Sequence, residues 1–208
     1  ERSSWRYLNT QQAFSKENLE DFLIGKTYRP ESDRIEAYMD VPAFKGGGSA
    51  YGNWTPAAEF NMLVDPEAAK IVFESGIPIL MAGLDVTEKA LIMPEDFERI
   101  RALGNPVSDI VAQWLEFFYK FHKSIGYEGA PMHDPCAVMA LIHPEVFTMR
   151  PMHVEIETQG EYCRGMTVGD TRGQLGHAPN ARVLTGIDRR GFADLLVEAV
   201  SAYDREST

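Results

Sequence analysis

Two short runs hold the residue types that could do chemistry. The first is GNWTPAAEFN, residues 52–61, in which Asn53, Glu59 and Asn61 set two amides and a carboxylate beside a glycine-rich stretch. A carboxylate accepts hydrogen bonds from hydroxyls, and an amide both donates and accepts, so the three suit a polyhydroxylated ligand such as a sugar. Ordinary roles are also open to them: an Asx-type turn at Asn53, a solvated Glu59, a loop cap at Asn61. The second run is GAPMHDPCAV, residues 129–138, with His133 and Asp134 at the start of a helix. A carboxylate there can cap the helix or ligate a hard cation, and an imidazole can give a proton to a leaving group. A capping Asp134 followed by Pro135, with His133 merely packed, explains the same run, and one aspartate does not define a metal site.

Elements must hold these side chains in place. KGGGSAYGNW, residues 45–54, carries Gly46, Gly47, Gly48 and Gly52, so its backbone can turn tightly or approach a ligand closely. Asp65, Pro66 and Glu67 supply a side-chain cap, a residue without an N–H to orphan, and an anion at the positive end of the dipole. A helix is predicted from there to Gly76. IPILMAGLDV, residues 77–86, is a short, almost wholly apolar run, as in a strand covered on both faces. Pro94 to Gly104 again places proline first and glycine last. Residues 107–124 predict a longer helix whose Ile110, Val111, Trp114, Leu115, Phe117, Phe118 and Phe121 are read first as core, with a base-binding pocket or an oligomer interface as the other uses of such a stripe. Another helix follows Asp134–Pro135. Beyond Pro144 the pattern alternates, which predicts strands over 152–158 and 163–170, and the tail over 190–203 is amphipathic with Phe192, Leu195, Leu196, Ala199 and Val200 inward. The expected fold class is α/β, a mostly parallel sheet with helices on both faces.

Composition narrows the partners. The chain has 208 residues, 31 acidic and 20 basic side chains, a net charge of −11 and 44% hydrophobic content, enough apolar material for a core. Such a balance repels nucleic-acid phosphates and anionic lipid, so neither nucleic acid nor membrane is expected as a partner. No apolar run reaches the roughly 18 residues of a membrane span, and the opening ERSSWRYLNTQQ lacks the apolar centre of a signal peptide. A cytoplasmic protein is the expectation. Cys136 and Cys163 are read as buried thiols rather than a disulfide. His122 is read as packed, His143 as a helix terminus, and Arg164, Asp170 and Arg172 as surface ion pairs.

Taken together, the order and surroundings of the motifs resemble the inosine–uridine-preferring nucleoside hydrolase family. The resemblance rests on Gly46–Gly47, Gly52–Asn53, Thr55–Asn61, Asp65–Pro78, Leu84–Thr87, the PMHDP of Pro131–Pro135 and the RGMTVGDTRG of Arg164–Gly173. It implies a Rossmann-like core, hydrolysis of ribonucleosides to free base and ribose, a bound Ca²⁺ and a homo-oligomer or complementing chain. It further implies that Asn53, Glu59 and Asn61 grip the ribose hydroxyls, that Asp134 ligates calcium, and that His133 protonates the departing base. The family's aspartate-rich DxDxxxDD signature has no counterpart, since the chain contains no DxD and no adjacent aspartate pair. Residues 1–45, polar and with one helix predicted over Ser15 to Gly25, are accordingly expected to be a divergent leader, and 46–208 the hydrolase-like α/β domain, incomplete by itself.

Overall fold

The structure is a computed structural model and describes residues 43–204. The helix expected over Ser15 to Gly25 lies outside the described residues. The described residues divide into two compact units, one formed by Ala43–Leu84 with Arg150–Val183, the other by Asp85–Met149 with Leu184–Asp204.

The first unit is built on a five-stranded sheet. Its strands are β1 (Ala43–Lys45), β2 (Ile79–Ala82), β5 (Phe147–Ile156), β6 (Thr167–Asp170) and β7 (Ala181–Ile187), in the order β1-β2-β7-β5-β6. β1, β2 and β7 run parallel, with Phe44 opposite Met81 and Leu80 opposite Arg182. β5 and β6 are antiparallel, with Val154 opposite Gly169. The sheet is therefore mixed. All four residues of β2 are buried, as its unbroken apolar run requires of a strand covered on both faces. β5 instead alternates, burying Met152, Val154 and Ile156, the pattern of a strand covered on one face only. One core is formed by every second residue of three strands, Ile79 and Met81, Met152 to Ile156, Ala181 and Val183, with Met62, Ala69 and Phe73 from two helices. Those helices are α1 (Phe60–Val64) and α2 (Pro66–Glu74). In α2 Asp65 caps the N-terminus by accepting from the Ala68 N–H at 2.9 Å, Pro66 fills the first position and Gly76 takes φ +78° after its end, as the sequence pattern requires. β1 reaches back to Ala43, across the boundary expected after residue 45.

After α3 (Leu84–Thr87), the second unit contains the two-stranded pair β3 (Leu91–Ile92) and β4 (Ala130–Pro131), and the helices α4 (Pro94–Arg101), α5 (Pro106–Ser124), α6 (His133–Ile142) and α7 (Arg189–Ser201). α4 packs against α5 and α7, with the Phe97 ring edge-on to Tyr119 of α5 at 5.5 Å between centroids. Polar side chains fix the ends. Asn105 caps α5 by accepting from the Ser108 N–H at 2.7 Å, and the Asn105 amide donates to the Val200 carbonyl of α7 at 3.4 Å. Asp96 is 2% exposed, accepts from the Met93 N–H and pairs with Arg189 at 2.7 Å and Arg99 at 3.2 Å. Burial pushes its carboxyl up, but the Met93 amide and the Arg189 and Arg99 guanidinium groups outweigh that and hold it below the usual aspartate range.

Several expectations are corrected. The aromatic stripe of α5 is not core: Trp114, Phe117, Phe121 and Ile110 are exposed, and Ser108, Ala112, Leu115 and His122 form the buried side. Ala199 of α7 is also exposed, while Ala193 is buried. Cys136 is buried and donates to the Met132 carbonyl at 2.9 Å, and burial pushes its thiol up to about 12, whereas Cys163 is only half-buried; both are free. His122 is packed among Phe118, Phe121 and Tyr127, and His143 ends α6. Among the described residues no helix is long and apolar enough to cross a membrane.

Candidate active site

Glu59 organises the first motif. Its side chain is 1% exposed, and its Oε2 accepts from three backbone N–H groups: Gly47 at 3.1 Å, Asn61 at 2.8 Å and Met62 at 3.2 Å. Two of these are the amides that the first turn of α1 would otherwise leave unpaired, and the third belongs to the glycine loop after β1. One buried carboxylate thus clamps the loop to the helix, which excludes the solvated Glu59 as a reading. Asn53 is exposed, and its Oδ1 accepts from the Phe60 N–H at 2.9 Å, bracing the opposite side of the same helix start. Asn61 is exposed on that first turn. The structure therefore brings Asn53, Glu59 and Asn61 together.

The loop between them allows no other course for the chain. Thr55 Oγ1 accepts from Ala58 N–H at 2.9 Å, and the Ala58 carbonyl accepts from both Trp54 and Thr55. A Cβ on Gly52 would lie 2.3 Å from the Ala58 and Thr55 carbonyl oxygens, so only glycine fits. Gly47 has φ +74°, and a Cβ there would meet Thr167 Oγ1 at 2.5 Å and the Met81 Cε at 2.7 Å. Gly46 donates to the Ala82 carbonyl and Gly47 accepts from the Leu84 N–H, so the loop is anchored to the end of β2.

Two features here had no role in the sequence reading. Thr167, at the start of β6, is 1% exposed, and its hydroxyl has no hydrogen-bond partner among the described residues. Trp54 and Phe60, both exposed, have ring centroids 5.2 Å apart and border the two asparagines in sequence. Both lie within motifs quoted above, but a hydroxyl's burial and a ring's partner depend on contacts that sequence does not display.

His133 and Asp134 belong to the second unit. α6 begins at His133, two residues earlier than a capping Asp134 would set it, because Met132 occupies the N-cap position with extended backbone. Asp134 accordingly sits inside the first turn, exposed, and is not the cap. His133 is half-buried, and its Nδ1 lies 2.9 Å from Oγ1 of the fully buried Thr87 at the end of α3. Thr87 thereby sets the ring's orientation, a role visible only once α3 and α6 meet. Among the described residues no three His, Cys, Asp or Glu side chains come together to hold a metal ion. The described residues do not make a divalent cation site by themselves.

A sequence model described as inosine-uridine preferring nucleoside hydrolase matches residues 43–194. The chain is 57% identical over 160 residues to the pyrimidine-specific ribonucleoside hydrolase RihA of Salmonella typhimurium, covering 76% of this chain and 51% of that protein. It is 58% identical over 160 residues to the protein of the same name from Citrobacter koseri, with the same coverage. The chain thus spans about half the length of the curated relatives it matches. Among solved structures, the purine-preferring ribonucleoside hydrolase from Gardnerella vaginalis superimposes with a TM-score of 0.71 at 28% identity, covering 78% of this chain and 52% of that one. The plant nucleoside hydrolase PpNRh1 gives 0.70 at 25% identity, covering 81% and 57%.

Proposed function

The chain belongs to the inosine-uridine preferring nucleoside hydrolase family, and from that premise we propose that it serves the hydrolysis of the N-glycosidic bond of ribonucleosides to free base and ribose. The observation that carries the reading is the Glu59 clamp, which fixes two exposed asparagines beside a loop of bare backbone. Asn61 and the Nδ2 donor of Asn53 then grip ribose hydroxyls, particularly at the 5′ end, with Glu59 holding the arm in register. The exposed Trp54–Phe60 pair offers an apolar border to that arm.

His133 is proposed to protonate the departing base. As the imidazolium, His133 donates from Nδ1 to the Thr87 hydroxyl oxygen and holds a second proton on Nε2, which it gives up as the glycosidic bond lengthens, leaving the neutral ring. Positive charge then develops on the ribosyl ring in the transition state. Asp134 would contribute one carboxylate to the Ca²⁺ that the family resemblance implies, although among the described residues no cluster of three ligands completes such a site. Because its relatives are named pyrimidine-specific, uridine and cytidine are the first substrates to try. The setting proposed is the cytoplasm, with the chain acting as a homo-oligomer or beside a complementing chain.

A second reading, a ribose- or nucleoside-binding module without turnover, draws on the lack of a cation cluster among the described residues. Calorimetry with uridine, with and without Ca²⁺, beside an assay of free base, separates the two. Binding with release that His133→Ala abolishes supports hydrolysis. Binding without release supports the module, and the absence of any nucleoside binding refutes both.

A further inference from the structure

The loop over residues 171–179, which joins β6 to β7, enters neither reading, and every residue in it is exposed. Both of its ends are tied down. At the first, the Asp170 carboxylate accepts from the N–H groups of Leu175 and Gln174 at 2.8 Å each and of Arg172 at 3.3 Å, and these bonds, led by that of Leu175, hold its carboxyl below the usual aspartate range. At the second, Asn180 accepts from the Val154 N–H at 2.8 Å and donates to the carbonyls of Val154 at 2.9 Å and Phe73 at 3.1 Å. Between these anchors, the hydrogen bond and the ring contact that hold Ala178 and His177 both come from one side chain, His153 of β5. Its Nδ1 lies 2.9 Å from the Ala178 carbonyl oxygen, and its ring stacks on that of His177 at 4.8 Å and 29°. Its Nε2 lies 2.7 Å from Glu155 Oε1.

A carbonyl and a carboxylate only accept, so both ring nitrogens carry a hydrogen and His153 in this arrangement is the imidazolium. The charged and titratable groups that act on the ring are Glu155 on its own strand, Asp170 directly opposite it in the β5–β6 ladder, and His177 in the loop. A neutral imidazole has one N–H, so on loss of a proton one of the two bonds must go. Glu155 keeps its bond, because a hydrogen bond to an ionised acceptor is the stronger and a bare nitrogen facing an anion is the costlier arrangement. Nδ1 then presents a lone pair to the Ala178 carbonyl oxygen, and attraction becomes repulsion. The bonds of Asp170 to 172–175 and those of Asn180 do not involve the ring and persist. Gly176 lies between the two sets at φ +70°, with nothing within 4 Å of where a Cβ would stand.

We propose that residues 176–179 are a proton-operated strap, latched to β5 while His153 is charged, released when the ring is neutral, and hinged at Gly176. The His153 side chain is only 12% exposed, and release uncovers it on the outward side of β5 beside β6, the last strand of the sheet. Access to that face is thereby tied to pH near neutrality. The proposal does not depend on the hydrolase reading.

Nuclear magnetic resonance of the 208-residue chain, carbon-13 labelled at alanine methyls and histidine Cε1, tests it from about pH 5.5 to about 9. The Ala178 methyl and the His153 ring are expected to titrate with one shared midpoint above the ordinary 6.5, and the methyl to pass from ordered below that midpoint to mobile above it. In His153→Gln the Ala178 methyl is expected to show no midpoint, whereas His177→Gln, which removes the stack and leaves the latch, is expected to retain it. Circular dichroism establishes that both variants are folded. An Ala178 methyl that stays equally ordered while His153 titrates in the wild-type chain overturns the proposal without recourse to a variant. A transition that survives in His153→Gln and disappears in His177→Gln overturns it as well, since His177 would then be the group that titrates.

Discussion

Replacing Glu59 by alanine should destabilise the chain more than any surface substitution, and the amount follows from its contacts. The carboxylate is 1% exposed and takes three backbone N–H groups, at 2.8, 3.1 and 3.2 Å. Loss of an N-cap alone costs about 1 kcal/mol. Hydrogen bonds to a charged group contribute about 1.5–3 kcal/mol each, and a buried amide left without a partner costs about 1–3 kcal/mol. The three bonds share one oxygen and are not additive, so Glu59→Ala should lower the unfolding free energy by about 3–5 kcal/mol, a large part of the roughly 5–15 kcal/mol available to a domain. Glu59→Gln keeps an acceptor and loses the charge, and should cost about 1–2 kcal/mol. Urea unfolding followed by circular dichroism reads this as a lower midpoint at constant slope. Hydrogen exchange at the Gly47 amide reads it locally, because that N–H depends on Glu59 for its bond. A loss below about 1 kcal/mol in Glu59→Ala, or equal losses in the two variants, would refute the clamp, since the first is what an uncommitted surface carboxylate gives.

Three further outcomes are expected. Gly47→Ala should destabilise by about 2–4 kcal/mol, combining left-handed backbone strain with a Cβ pressed onto Thr167 and Met81, and a near-neutral midpoint in urea would contradict the packing. Asp96→Asn should cost about 1–3 kcal/mol by removing the ion pair with Arg189, which keeps its bond to the Leu91 carbonyl, and by weakening the α4 cap. Because the folded-state pKa of Asp96 is lowered, the wild-type advantage is present above the normal aspartate value of about 4 and fades as pH falls through the depressed folded value; thermal midpoints of the two proteins that stay parallel through that range would contradict it. His153 donates from Nδ1 to the Ala178 carbonyl at 2.9 Å and from Nε2 to Glu155 at 2.7 Å, an arrangement that only the imidazolium completes, with the ring of His177 stacked 4.8 Å away. Burial lowers its pKa, but Glu155, the Ala178 carbonyl and the charge of Asp170 raise it further. Its contribution should be whole below the unfolded value of 6.5 and vanish as pH rises through the folded pKa, so the wild-type melting temperature should fall across neutral pH more than that of His153→Gln. Equal slopes for the two proteins would exclude this.

The local rules written in the sequence were sufficient for several elements, though α1, α3 and β7 were not legible in it. Asp65–Pro66–Glu67 opened α2 and Gly76 followed its end because capping involves only neighbours in the chain. The apolar run Ile79–Ala82 formed a fully buried strand between parallel neighbours, and the alternation after Pro144 formed β5 and β6. The clustering of Asn53, Glu59 and Asn61 was legible for the same reason, since only seven residues separate the first from the last.

What only tertiary structure decided was which of these groups are spoken for. Glu59 looked like a surface carboxylate until a loop twelve residues earlier in the chain supplied its third donor. Thr87 acquired a role through a contact with His133, 46 residues away, and the Thr167 hydroxyl acquired one through burial against Gly47. The aromatic stripe of α5 shows the limit most plainly: a 3.6-residue period fixes that a helix has an apolar face, and only the packing of its neighbours settles whether that face turns inward. Periodicity is a property of one element, whereas burial is a property of the elements around it.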